Sequence, residues 1–119
     1  MNGTRGPERG VLPLRSVDVL ILMMLVRGPR HGYGIMLDVA EHTDGAVRLE
    51  AGSLYRSIRR LLDDGLMAEA PPPDAPDDER RRYYALTPLG RRTLAAEALR
   101  LRRLVREAEA AGLISPAGA

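Results

Sequence analysis

A chain of 119 residues has room for one small domain, or one domain with an appended helix. It has no cysteine, which excludes disulfides, a thiolate nucleophile and a cysteine-ligated metal, and fits a reducing, cytoplasmic setting. Its basic residues are all arginine, and their placement says more than the net charge of +2: from Arg80 to Arg106 nine arginines face a single acid, Glu97, while the stretch just before holds Asp74, Asp77, Asp78 and Glu79 with no base among them. Such segregation predicts a surface for a polyanion with an acidic patch beside it.

Residues 1–13 are rich in Gly, Pro and Arg and read as a mobile arm. Arg5, Glu8, Arg9 and Arg15 interrupt any signal-peptide pattern there, and the longest apolar run, Val19 to Val26, is too short to span a bilayer. The first helix is expected over residues 16–27, with Ser16 as N-cap and Gly28-Pro29 as terminator. Val17, Leu20, Ile21, Met24 and Leu25 fall on one stripe, and the helix is apolar nearly all round, which predicts burial on two sides, one of them against a second subunit.

A second helix is expected over residues 32–42, entered through a His31-Gly32 turn. His31 has no partner at metal-ligand spacing, so it reads as a turn residue. Tyr33 can pack its ring inward while its hydroxyl reaches outward. After the turn Thr43-Asp44-Gly45, a third helix runs from Gly52 and Ser53 to Gly65, with Ser53 as the capping residue. Leu54, Ile58, Leu61 and Leu62 form its apolar back. Ser53, Arg56, Ser57 and Arg60 form the opposite face, with Tyr55 and Arg59 at its edge. Arginines of this kind grip phosphate or read guanine, and serine donates to phosphate. Two helices joined by a compact turn, the second bearing the polar face, make a helix-turn-helix.

Leu66 to Ala70 and Arg80 to Thr87 read as two strands of a hairpin, a wing whose loop is long and acidic. Arg80, Arg81, Arg82 and Tyr83 place basic and aromatic groups on its returning strand. Thr87 caps the last helix, with Pro88 at its first position, and the helix runs to about Ala111. Leu94, Ala98, Leu101, Val105 and Ala108 repeat every four and three residues, a seam of about two heptads suited to a partner subunit. The fold expected is mainly α with a small β-hairpin: an arm (1–13), a winged helix-turn-helix domain (14–88), a dimerisation helix (89–112) and a tail (113–119).

Four motifs in order resemble the PadR family of bacterial transcription regulators. They are His31-Gly32-Tyr33-Gly34-Ile35, Gly52-Ser53-Leu54-Tyr55, Leu61-Leu62-Asp63-Asp64-Gly65-Leu66, and Arg81-Arg82-Tyr83-Tyr84-Ala85-Leu86-Thr87-Pro88-Leu89-Gly90. The resemblance spans roughly residues 14–111. It departs from the family pattern at Ala51 and Arg56, where proline is common, and in the acidic wing loop. It implies a homodimer built through the C-terminal helix, operator DNA as partner, a repressor's role, and release by a small hydrophobic or aromatic effector near the dimer interface. Carried onto this chain, it points to Tyr33, Ser53, Tyr55, Arg81, Arg82 and Tyr83 for DNA.

The residues expected at DNA are therefore Tyr33, Ser53, Tyr55, Arg56, Ser57, Arg59, Arg60, Arg80, Arg81, Arg82 and Tyr83. Those expected between subunits are Val17, Leu20, Met24, Leu94, Ala98, Leu101, Val105 and Ala108. The alternative is a winged-helix module that binds protein through the acidic loop and the arginine-rich last helix. Catalysis is not expected: His31 and His42 stand at opposite ends of one short helix, and no nucleophile, phosphate-loop or metal pattern occurs. No cofactor and no membrane partner are expected.

Overall fold

Apolar residues at helical spacing decide the frame of the molecule, a computed structural model that describes residues 13–72 and 81–116. Helix α1 (Ser16–Met24) buries Ile21 and Leu22, and Leu25 follows in the turn beyond it. Helix α2 (Gly32–His42) buries Ile35 and Val39, and helix α3 (Ala51–Asp63) buries Leu54, Ile58 and Leu61. These side chains meet Leu66, Met67, Tyr84 and Leu94 in one core. Burying each such side chain contributes about 1.5–3 kcal/mol, the main term holding so small a fold together.

Three strands pair in the order β1-β3-β2, with β1 (Arg30–His31), β2 (Met67–Ala70) and β3 (Tyr83–Leu86) all antiparallel. The expected hairpin is β2 and β3, with Met67 opposite Leu86 and Ala70 opposite Tyr83. The third strand lies outside what the sequence predicts. Arg30 pairs with Tyr84 and His31 with Tyr83, so the entry to α2 is sewn to the wing. Two residues are too few for a periodicity signal, which is why the sequence shows only a turn there. The acidic loop and Arg80 fall outside the described residues, as does the arm through residue 12.

The ends of the helices correct two expected caps. Ser16 is the first residue of α1, and the cap position is Arg15, whose side chain makes no capping bond. The helix also closes at Met24, three residues short of the expected 27, with tight turn bonds carrying the chain to Gly28. Glu50, not Ser53, stands at the cap of α3, and the Ser53 hydroxyl donates back to the Glu50 carbonyl at 3.1 Å. At the far end, the Gly65 N–H reaches the Leu62 carbonyl and the Leu66 N–H that of Leu61. This double closure needs the left-handed backbone that Gly65 adopts (φ 75°).

Helix α4 (Pro88–Ala110) begins as expected, with Thr87 Oγ1 accepting from the Gly90 N–H at 2.9 Å. The same hydroxyl donates to the Gly65 carbonyl at 2.7 Å, tying the start of α4 to the end of α3. Gly90 lies so close to the Leu66 carbonyl that any side chain there would collide with backbone. Beyond Leu101, α4 is largely exposed and leaves the core behind.

Candidate nucleic-acid interface

Thr43 sets the angle between α2 and α3. Its hydroxyl donates to the Val39 carbonyl at 2.8 Å and accepts from the Val47 N–H at 3.0 Å, so the connection is held from both sides. With the apolar back of α3 buried, Gly52, Tyr55, Arg56 and Arg59 are left on the outside. Ser53 is half-buried beside them. Arg56, Arg59 and part of Arg60 border a groove of about 580 Å³ that also touches Asp63 and Asp64.

The structure corrects two members of the expected face. Ser57 is 5% exposed. Arg60 points back to α1, where its Nη2 donates to Asp18 Oδ1 at 2.8 Å and its Nε to Oδ2 at 3.3 Å. Nη2 also donates to Ser57 Oγ at 3.2 Å. A helical wheel puts Arg60 opposite the leucines, but α1 leans over that flank of α3 and supplies a carboxylate that is 3% exposed; Ser57, three residues after Leu54 and four before Leu61, lies beside the apolar face itself. A buried carboxylate is stabilised by a cation, and among the described residues Arg60 supplies it.

A second cluster lies where α2 meets the wing. Tyr33 and Tyr55 are exposed, Arg81 and Arg82 are exposed, and Tyr83 is half-buried. His31, Gly32, Tyr33, Tyr55, Arg81, Arg82 and Tyr84 line a hollow of about 360 Å³. The Tyr55 hydroxyl rests on Gly32, the first residue of α2, so that a Cβ there would have to displace the tip of the Tyr55 ring. His31 joins the parts: its Nδ1 accepts from the Gly34 N–H at 2.9 Å, its Nε2 lies 2.8 Å from Arg81 Nη1, and its ring meets Tyr83 edge-on at 5.3 Å. Arg82 pairs loosely with Glu69 across the hairpin at 3.4 Å, both groups well exposed. Burial pushes the Tyr84 phenol above its ordinary range, with Tyr55 and Glu69 adding to the rise. Every aromatic side chain of the chain gathers here, since it has four tyrosines and neither Phe nor Trp. Arginines, phenolic hydroxyls and the N-terminal amides of α2 all favour an anion. His31 sits at the turn expected for it, and its link to the wing spans fifty residues, beyond the reach of local sequence rules.

The expected subunit face divides. Leu94 is 6% exposed and belongs to the protomer's own core, so it is not free for a partner. Val17, Leu20 and Met24 are partly buried against that core. Ala98 and Val105 are exposed, and Leu101 and Ala108 are half-buried. Leu104, which the heptad reading passed over, is 53% exposed. The stripe left open is thus Leu101, Leu104, Val105 and Ala108, at i, i+3, i+4 and i+7. Between α1 and α4 lies a mainly apolar hollow of about 280 Å³, bordered by Leu14, Val19, Leu20 and Leu101. Glu97, 1% exposed, stands at its edge, with Arg100 donating to both oxygens at 2.8 and 2.7 Å. Chiefly that pairing holds the Glu97 carboxyl below the usual glutamate range, against the opposing effect of burial.

Among the described residues no group of three His, Asp or Glu could hold a metal ion, and no helix is long and apolar enough to cross a membrane. A helix-turn-helix whose second helix shows arginines outward, flanked by a basic hairpin, defines a winged helix-turn-helix protein. Residues 21–96 match the transcriptional regulator PadR-like family, and the chain belongs to that family. A PadR family transcriptional regulator from Eggerthella lenta is 27% identical, with a TM-score of 0.61 over 92% of this chain and 87% of its own. A PadR family transcription regulator from Clostridium difficile is 24% identical, with a TM-score of 0.70 over 84% of this chain and 100% of its own. Bacillus subtilis PadR, solved in complex with operator DNA, shares the fold at 22% identity and a TM-score of 0.58, over 71% of this chain and 47% of its own.

Proposed function

We propose that this regulator is a homodimeric repressor that binds operator DNA through α3 and the wing and leaves it when a small hydrophobic or aromatic molecule binds. The observation that carries the reading is the shared outward direction of Arg56 and Arg59 on α3, with Tyr33, Tyr55, Arg81 and Arg82 next to them. Helix α3 would enter the major groove, where arginine reads guanine. The wing root and the start of α2 would hold the phosphates on either side. The operator complex of Bacillus subtilis PadR supports this use of the fold.

The open stripe of α4 supports pairing of two copies, and the hollow between α1 and α4 supports an effector, since its walls are mainly apolar. Setting two copies of α3 about one DNA turn apart, roughly 34 Å, would call for an operator with two-fold symmetry. The protein would act in the cytoplasm, where its DNA lies.

Fluorescence anisotropy with a labelled duplex from the upstream region of the protein's own gene tests the reading. Affinity should fall steeply with salt, because each neutralised phosphate releases counterions. Arg56→Ala and Arg59→Ala should each cost about 1–3 kcal/mol where the contact is to a base, or lower the salt slope by about 1 where it is to phosphate. Binding that is indifferent to salt, or to both substitutions, would contradict the proposal.

A further inference from the structure

We infer that Asp18 is a positioning residue for DNA binding: acting through Arg60, this buried carboxylate of α1 fixes the roll of the recognition helix. The inference rests on the reading of α3 as the DNA-facing helix and adds to it a residue that never meets DNA. Asp18 lies in the first turn of α1, where helix amides favour a carboxylate, and Arg60 in the last turn of α3, where carbonyls favour a cation. The guanidinium presents its Nε and Nη2 edge to the two carboxylate oxygens, at 3.3 and 2.8 Å. Two parallel bonds to a planar group fix an orientation as well as a distance. Ser57 Oγ accepts the third bond at 3.2 Å and closes the set.

The Nε and Nη2 edge of Arg60 is therefore committed to Asp18, although the side chain is 33% exposed and borders the same groove as Arg56 and Arg59. Swinging it outward would leave a carboxylate that is 3% exposed without its cation. The outward arginines, Arg56 and Arg59, stand four and one residues before Arg60 on the same helix, so any roll about the helix axis moves them directly. Asp18 also sits on the helix that borders the proposed effector hollow. On the same short helix, Ser16, Val19 and Leu20 border the hollow shared with Glu97, Arg100 and Leu101 of α4.

Ordinary electrostatics predicts the opposite of this inference. Removing an acid near a DNA-binding face lowers repulsion and should strengthen binding. Asp64→Asn, at the exposed end of α3 beside the arginine groove, should behave in that way and serves as the control.

The test uses two equal-length duplexes, one selected by the full-length protein from a random pool and one of mixed sequence, with folding checked by circular dichroism. Asp18→Asn should weaken binding to the selected duplex by about tenfold, the scale of one lost base contact. It should leave the mixed duplex and the salt slope nearly unchanged, because Asp18 itself meets no phosphate and Arg56 and Arg59 keep their charges and their reach. Arg60→Gln should do the same, and the double variant should lose no more than either alone. If Asp18→Asn does not fold, Arg60→Lys carries the test: it keeps the charge, loses the fork, and should lower the selected-to-mixed ratio several-fold. The inference is overturned by an unchanged or tighter grip on the selected duplex, by equal losses on both duplexes, or by additive losses in the double variant. If the natural protein binds neither duplex, the DNA reading itself fails and the inference falls with it.

Discussion

Thr93 shows how a single atom can be read. It is fully buried in α4, and its hydroxyl has no hydrogen-bond partner among the described residues. Burying an unsatisfied hydroxyl costs about 1–3 kcal/mol, and valine has nearly the same shape without the polar atom. Thr93→Val should therefore raise stability by about 1 kcal/mol, seen as a thermal midpoint higher by a few degrees in calorimetry. A fall in the midpoint would mean that the hydroxyl is satisfied in solution. Gly90 is the opposite case, a site where the missing side chain is the function, because the Leu66 backbone occupies the space a Cβ would need.

At the scale of elements, α4 does two jobs along its length. Its first turns bury Thr93, Leu94 and Glu97 in the protomer, and its later turns expose Leu104 and Val105. Leu104→Glu should leave the protomer folded, since the side chain already faces solvent, while a charge in the stripe should dissociate the pair and weaken DNA binding with it. Sedimentation velocity at micromolar concentration checks this: a monomer is expected for the variant and a dimer for the natural protein. A natural protein that sediments as a monomer would contradict the pairing.

The heptad count could not have separated these halves. Periodicity marks every apolar position on a face but not which neighbour covers it, so Leu94 and Val105 look alike in sequence. The same blindness explains Arg60. A helical wheel places it outward, and only the packing of α1, through an acid forty-two residues away, draws its guanidinium back. Ser57 is the opposite case, since a position three residues after Leu54 and four before Leu61 already sets it beside the apolar face. What local rules could read, they read well. The spacing of Leu54, Ile58 and Leu61, the Gly65 stop, the Thr87-Pro88 start and the two longer strands all follow from contacts within a few residues. Strand β1 does not, because its pairing with Tyr83 and Tyr84 is entirely non-local.

For the whole molecule, the proposed function joins two surfaces that would meet different partners. One, with Arg56, Arg59, Tyr33, Tyr55, Arg81 and Arg82, would face a duplex. The other, with Leu101, Leu104, Val105 and Ala108, would face a second copy. The two are mechanically connected, since α1 packs between α3 and α4 and grips Arg60 through Asp18. Dimer geometry would then set the spacing of the recognition helices, and a molecule lodged between α1 and α4 would reach DNA affinity by shifting α1. Hydroxyl-radical footprinting of the natural protein on its selected duplex tests this most directly. A homodimer reading an operator through two copies of α3 should give two protected tracts related by two-fold symmetry, with centres about one helical turn, roughly 34 Å, apart. A single protected tract, or none at any salt concentration, would contradict it.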